Sequence, residues 1–186
     1  MGYMGRTKIL GTNPFRKKMQ RVKGRTLAGD WLRAVMLDHE QELERILSLM
    51  EHGGRFNPPG KFPVLHAVED VAGCRAGLLE WIREEQKPDH IMAIVVLKVK
   101  LNRVLDLAQR SIRRMLGITL RELHGLPESE TGRQLGDAAY DAGFEGIIYP
   151  RPLKRNRRNL ALFMDRIIAR KNGLLSSARS PEADAA

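Results

Sequence analysis

The strongest pattern of apolar residues in the chain is the run from Ile91 to Leu101. This run is rich in β-branched residues, and at Lys98 and Lys100 it changes into an alternation of polar and apolar positions. Such a pattern is typical of a β-strand that has one face in water. Shorter apolar runs predict further strands at residues 63–67, 144–150 and 159–163.

Between these strands, apolar residues recur at helical spacing. They predict helices over residues 30–50, 72–85, 109–126 and 131–142. Asp30 is placed to cap the first helix, which ends at Gly53 and Gly54, and Gly143 ends the last one. Strands and helices interleave irregularly, with hairpin-like pairs among them, so the chain is predicted to be an α+β protein.

The chain has 186 residues, which is the length of one domain and long enough to bury a core without metal or disulfide. Its single cysteine, Cys74, has apolar neighbours and is predicted to be an inert buried thiol, which fits a reducing compartment. We identify neither an apolar stretch as long as a membrane span nor a secretory signal. We therefore expect a cytoplasmic protein with no membrane partner.

The unusual bulk property is a formal net charge of +10 at pH 7. The positive residues cluster in an acid-free stretch at 6–25 and in a second run at 151–158. Such an excess attracts nucleic acid, anionic lipid, phosphate ligands or an acidic protein, and the charge alone does not discriminate among these partners. Few aromatic residues accompany the clusters, so a base-stacking platform is poorly supported and we do not expect direct nucleic-acid binding.

The two ends of the chain show no clear apolar periodicity. Residues 1–28 are predicted to be a basic arm or an irregular lead-in, and residues 173–186 a disordered tail of small and polar residues. This leaves residues 29–172 as the predicted folded domain.

The most informative local motif is Gly53-Gly-Arg-Phe-Asn-Pro-Pro-Gly60. Two prolines and a glycine exclude a helix here, while the flanking glycines allow a ligand to approach the backbone closely. The guanidinium of Arg55 on such a stiff loop is suited to gripping a phosphate or carboxylate with two hydrogen bonds. From these residues alone, a surface turn with a solvated arginine remains the simpler alternative.

Further motifs follow the Arg55 loop in a fixed order. They are Val64-Leu-His-Ala67, Leu78-Leu79-Glu80, Gly143-Phe-Glu-Gly-Ile-Ile-Tyr-Pro150 and Asn159-Leu-Ala-Leu-Phe163. In this order, over roughly residues 30–165, they resemble the RES domain family, toxins of bacterial toxin–antitoxin pairs named for an arginine, a glutamate and a serine. The Arg55 loop is the most specific part of the resemblance.

The resemblance implies a fold similar to that of ADP-ribosyltransferases, with a mixed, mostly antiparallel, split β-sheet and flanking helices. It also implies cleavage of NAD, as substrate and without a metal, at the bond between nicotinamide and ribose. Arg55 matches the family's loop arginine, Glu80 its helical glutamate, and Arg33 an arginine placed before the loop. Glu80 would stabilise the positive charge that develops on the ribose, while Arg55 and Arg33 would anchor the pyrophosphate or the ribose hydroxyls.

Two positions depart from the family pattern. The strand tyrosine is His66 here, which is still flat and able to stack or hydrogen-bond, and the serine after proline is Arg151. Arg151 either holds a NAD phosphate or fills the pocket and blocks it, so both residues are candidates for NAD binding. The spacing from His66 to Glu80 is also longer than usual, which leaves Glu84 and Glu85 as alternative carboxylates.

Three hypotheses follow. The first is a NAD-cleaving toxin whose cleft is covered by an antitoxin; the resemblance implies that this partner carries a helix-turn-helix region and a toxin-binding C-terminal domain. The second is a RES-like protein that has lost catalysis and binds a ligand or partner, and the third is a basic nucleic-acid-binding protein. The acceptor of the ADP-ribosyl group stays open between water, phosphate and a protein side chain. The remaining histidines lack metal-ligand spacing.

Overall fold

The computed structural model describes residues 13–76, 92–124, 129–151 and 154–169. In this part of the chain the strands are β1 (Arg25–Met36), β2 (Val64–Val68), β3 (Met92–Asp106), β4 (Gly146–Arg151) and β5 (Lys154–Phe163). The helical segments are α1 (Arg16–Met19), α2 (His39–His52), α3 (71–76), α4 (Arg110–Leu116), α5 (Leu120–His124), α6 (Glu130–Asp141) and α7 (Met164–Ala169).

The strands form a closed barrel in the order β1-β2-β5-β4-β3. The pairing of β3 with β4 is parallel and the other pairings are antiparallel, so the predicted mixed, mostly antiparallel sheet is confirmed. The predicted split of the sheet is wrong. Strand β1 is long enough to pair with β3 from Arg25 to Met36 and still meet β2 at Leu32 and Val68, and this double pairing closes the barrel and leaves no open edge between the two strands.

Apolar side chains are buried on both faces of the barrel. One cluster contains residues of every strand together with Ile167 of α7, and therefore fills the inside. The other joins the outer face to α1, α4, α5 and α6. On β4, Ile148 belongs to the inner cluster whereas Ile147 and Tyr149 belong to the outer one. Because side chains alternate along a strand, His66, between the inner residues Leu65 and Ala67, also faces outward.

The basic segment before β1 is partly folded. Phe15, Met19 and Val22 are at most 7% exposed and belong to the outer cluster. Their spacing of four and three residues puts them on one face of a helical turn. From Asn13 onward the expected irregular lead-in is therefore corrected to a segment packed on the barrel, while residues 1–12 and the predicted tail at 173–186 lie outside the described residues.

The predicted helix over residues 30–50 is half wrong. Asp30 lies in β1 opposite Lys98, and the helix begins only at His39. Its cap is Asp38, whose side chain accepts hydrogen bonds from the backbone N–H groups of Glu40 and Gln41. Pairing with β3 along the whole of β1 outweighs the local helical spacing of the apolar residues, as tertiary contacts commonly do.

Most other predicted elements are confirmed within a few residues. Strands β2, β4 and β5 and helix α6 contain the predicted segments or overlap them, and β3 continues to Asp106. The predicted helix at 109–126 is interrupted at Gly117, which adopts the left-handed conformation with φ 75° and separates α4 from α5. None of the helices in the described ranges is both long and apolar enough to cross a membrane.

Candidate functional site

The loop that carries Arg55 connects α2 to β2 and lies directly on helix α6. A Cβ atom at Gly132 would overlap the carbonyl oxygen of Arg55, and one at Gly136 would overlap that of Phe56. These two glycines, one helical turn apart, therefore let the loop backbone touch the helix. The Phe56 ring is fully buried between the loop and the barrel, which anchors the residue next to Arg55.

Hydrogen bonds hold the loop at both ends. The Gly54 N–H donates to the Asn57 carbonyl at 3.0 Å, and the Gly60 N–H donates to the Met50 carbonyl of α2 at 2.8 Å. Asn57 itself is 1% exposed. With these bonds, two prolines and a buried aromatic ring, the loop presents Arg55 from a fixed backbone.

The side chain of Arg55 is only partly exposed to solvent. Its Nη1 donates to the carbonyl oxygen of Leu123, in α5, at 2.6 Å. Burial is the larger cause of the lowered pKa of His66 and of the raised pKa of Tyr149. The positive charge of Arg55 adds to the first shift and opposes the second, so Arg55 lies near both side chains. Arg55 is therefore a partly buried cation at the outer face of the barrel, and the simpler alternative of a solvated arginine on a surface turn is wrong.

His66 of β2 and Tyr149 of β4 form a hydrogen-bonded pair, and their strands lie on either side of β5. The Tyr149 hydroxyl lies 3.2 Å from Nδ1 of His66, and the Phe56 ring packs edge-on against Tyr149 with centroids 5.0 Å apart. Because the hydroxyl oxygen of Tyr149 already accepts a hydrogen bond from the Asn159 side chain, we assign the hydroxyl proton to a hydrogen bond that Tyr149 donates to Nδ1. The imidazole then carries its own proton on Nε2.

The imidazole of His66 is neutral at physiological pH. Burial, and after it the positive charges of Arg33, Arg55 and Arg45, lower the pKa of His66 to about 3. The residue nevertheless keeps some exposure to solvent. His66 is therefore able to offer a ligand the Nε2–H donor without adding a positive charge to the site.

Two site residues were not predicted from the sequence, Tyr149 and Asn159. They are direct cross-strand partners in the β4–β5 pair, and a hydrogen bond from the Asn159 side chain favours the ionised form of Tyr149 against the larger effect of burial. The Oδ1 atom of Asn159 is buried and accepts no hydrogen bond from the described residues. Both residues lie in the motifs that carry the family resemblance, and those motifs were the signal by which the sequence could have identified them. Their proximity to His66 depends on strand register, which the sequence does not give.

Arg33 lies next to this cluster with its guanidinium already engaged. Its Nη1 donates to the His66 carbonyl at 3.0 Å and its Nη2 to Glu42 Oε1 at 2.9 Å, and the residue is 7% exposed. Glu42 also accepts hydrogen bonds from Arg45 and from the Met36 N–H. Burial opposes the charged form of Glu42, but these hydrogen bonds outweigh it and lower the pKa of Glu42. Arg33 therefore stabilises the position of the β2 backbone at His66.

Arg151 is also held by the protein itself. Its Nη1 lies 3.3 Å from Asp70 Oδ1, and its Nη2 donates to the Ala72 carbonyl at 3.2 Å. These contacts connect β4 to the beginning of α3, so Arg151 stabilises the neighbourhood of α3.

Cys74 of α3 is 4% exposed, as predicted, and burial raises the pKa of its thiol.

The described residues thus bring together Arg55, His66, Tyr149 and Asn159, with Arg33 behind them. The predicted catalytic Glu80, and its alternatives Glu84 and Glu85, lie outside the described residues. The site offers a cation and neutral hydrogen-bond donors, which suit an anionic or oxygen-rich ligand. Within the described part of the chain, no group of three or more His, Cys, Asp or Glu side chains is arranged to hold a metal ion.

Comparison with known proteins identifies the family of the chain. The RES domain family model matches residues 31–173. Among solved structures, the fold is similar to a chain in the crystal structure of the MbcT-MbcA toxin-antitoxin complex of M. tuberculosis, with a TM-score of 0.62 and 16% sequence identity over 80% of this chain and 81% of that chain. No curated protein matches the sequence. The structural similarity shows the fold, whereas the family match spans most of the chain, and the chain therefore belongs to the RES domain family.

Proposed function

We propose that this RES domain is the toxin of a toxin–antitoxin pair and that it cleaves NAD at the bond between nicotinamide and ribose. The observation that carries the proposal is the convergence of Arg55 with His66 and Tyr149 against a loop held rigidly on α6. Family membership, and the similarity of the fold to a chain of a toxin–antitoxin complex, support the toxin part.

Positive charge develops on the ribose as the bond to nicotinamide stretches. A carboxylate stabilises such a centre, and we assign this role to Glu80 because Leu78-Leu79-Glu80 fits the family motif. Arg55 has the opposite effect on a cation, so its place is at the anionic pyrophosphate or the ribose hydroxyls. There it fixes the orientation of the dinucleotide before reaction, which lowers the barrier.

A neutral His66 suits this chemistry better than a charged one. At an effective dielectric constant of 20, a second positive charge about 5 Å from the ribose centre costs roughly 3 kcal/mol. Burial and three neighbouring arginines keep the imidazole neutral, and Nδ1 accepts from Tyr149 in the assigned tautomer, so the imidazole contributes only its Nε2–H donor. The Nε2–H donor of His66 thereby replaces in part the tyrosine that the family pattern has at this position.

A second candidate is a RES domain that binds a ligand or partner without catalysis. The observation that favours it is that Arg33 and Arg151 already donate to protein acceptors, and that Arg151 replaces the family's serine. Under this alternative, the double substitution His66→Tyr, Arg151→Ser creates NAD cleavage that the parent lacks. Activity in the parent rules the alternative out.

The proposed partner is an antitoxin with a helix-turn-helix region and a toxin-binding C-terminal domain that covers the cleft. Expression of the chain alone is then expected to deplete cellular NAD, and co-expression with the adjacent antitoxin gene to prevent it. An antitoxin that binds the chain but leaves NAD consumption unchanged would show that it does not cover the site.

The deciding experiment measures NAD consumption and nicotinamide release by purified protein supplied in turn with water, phosphate and candidate protein acceptors. Glu80→Gln is expected to lower the rate about 10²–10³-fold, while Glu44→Gln, the same change on the exposed face of α2, leaves it at the parent level. If Glu84→Gln or Glu85→Gln shows this loss and Glu80→Gln does not, the stabilising carboxylate is assigned to that residue instead. Intact NAD with the parent and all three acceptors would refute the enzymatic proposal.

A further inference from the structure

A concentration of positive charge outside the candidate site lies where α1 packs beside α4. The two elements are joined by a hydrogen bond from Lys18 Nζ to the Leu116 carbonyl at 2.9 Å, and Met19, Val22 and Leu116 are buried together beneath them. Six exposed cations lie on these two elements or within four residues after α1, and we call them the basic surface: Lys17, Lys18, Arg21, Lys23, Arg110 and Arg114.

None of these six side chains forms an ion pair with an acidic residue of the described ranges. The neighbouring arginines do: Arg16 pairs with Asp141 and Arg25 with Asp106, both at 2.7 Å. Arg113, between the two exposed arginines of α4, donates to the backbone carbonyls of Leu107 and Ala108. The protein therefore uses some of its cations internally and leaves those of the basic surface toward solvent.

We propose that the basic surface binds the phosphate backbone of a nucleic-acid duplex without sequence preference. Lysines and arginines that contact phosphates supply most of the affinity of such complexes. Single strands are bound by exposed aromatic rings, and the aromatic residue beside this surface, Phe15, is 7% exposed. The inference revises our sequence-based expectation of no direct nucleic-acid binding, which rested on the few aromatic residues near the basic runs.

An acidic protein fits this surface less well. Protein interfaces are built around a centre that is apolar or aromatic and depleted of charge. On the exposed side of α1 and α4 the large apolar side chain is that of Met115, 45% exposed, among six cations. A surface with many charges and a small apolar centre matches phosphate better than polypeptide.

The test measures binding of the full chain to a 20-base-pair DNA duplex of random sequence by fluorescence anisotropy, over a range of salt concentrations. Each phosphate contact contributes about −0.9 to the slope of log K against log salt. The double substitution Arg110→Gln, Arg114→Gln is therefore expected to reduce the slope by about 1.8, which weakens binding roughly 30-fold at 0.15 M salt when the affinity at 1 M is unchanged.

The matched control is Lys98→Gln, Lys100→Gln, which removes the same two charges from exposed positions of β3. It is expected to keep the parent slope, and thermal unfolding of both double variants checks that they are folded. Equal loss of binding in the two variants would overturn the proposal, because net charge alone would then explain it. A parent Kd weaker than about 1 mM at 0.15 M salt, against the 10⁻⁴–10⁻⁶ M usual for non-specific binding, would also overturn it.

Polyglutamate, included as a competitor, tests the alternative partner. If it binds more tightly than the duplex and its binding depends on Arg110 and Arg114, the surface recognises acidic polypeptide and the proposal fails. Both arginines lie outside the candidate site, so NAD consumption is expected to be the same in the variant and the parent. Failure of either proposal can therefore be told from failure of the other.

Discussion

Substitution of His66 tests whether the imidazole at the candidate site is held neutral by its surroundings. The pKa of His66 falls from an ordinary 6.5 to about 3 because the ring is buried beside Arg33, Arg55 and Arg45. Since the folded pKa lies below the unfolded one, the unfolded chain binds the proton more tightly between these two values. Stability is then full above pH 6.5 and declines as the pH falls toward 3.

The size of this effect follows from the shift. One pKa unit corresponds to about 1.4 kcal/mol, so His66 alone removes roughly 2 kcal/mol of unfolding free energy between pH 7.5 and pH 5.0. The assay is urea unfolding of the parent and of His66→Gln at both pH values, in which the titration of all other groups cancels. The variant is expected to lose about 2 kcal/mol less than the parent.

The control is His52→Gln at the exposed end of α2, which is expected to lose as much stability as the parent over the same interval. If His66→Gln and the parent lose the same free energy between the two pH values, His66 titrates normally in the folded protein. The surroundings of His66 would then not be what holds its imidazole uncharged. An NMR titration of the imidazole C–H resonances gives an independent measure of the same pKa.

Two further substitutions test the packing that positions the site. Gly136→Ala forces a methyl group onto the Phe56 carbonyl, so the loop has to move. We expect a loss of about 1–3 kcal/mol of unfolding free energy in urea, together with a loss of NAD binding. A variant with the stability and NAD binding of the parent would contradict the close contact between the loop and α6. Glu42→Gln leaves the buried guanidinium of Arg33 without its carboxylate and is expected to cost about 3–5 kcal/mol, whereas Glu40→Gln, exposed on the same helix, costs little; equal effects of the two would show that the ion pair contributes nothing.

The elements that could be predicted from sequence are those whose signal is local. The alternation in β3, the turn residues around β4 and the helical spacing of α6 lie within short windows, so their positions are confirmed. The two glycines and two prolines around Arg55 similarly determine that the chain there is an irregular loop. The order of these motifs along the chain was sufficient to identify the family, because a family pattern is itself a property of the linear sequence.

Other features depend on what lies beside each segment in space. The apolar spacing of residues 30–36 is compatible with a helix, and it becomes a strand because β3 supplies hydrogen-bond partners along its whole length. Closure of the barrel likewise depends on β1 meeting two strands at once. Neither fact can be read from a window of sequence, since the partners lie tens of residues away.

The site follows the same division. The sequence alone determined that Arg55 stands on a stiff loop and that His66 lies on a strand. Only the tertiary structure decided that Tyr149 and Asn159 join them, and that Glu42 holds Arg33 in place. Cross-strand register and the burial of charge arise from contacts between segments that are distant in the sequence. The neighbours of each side chain, and therefore its protonation state, are determined only in the folded chain.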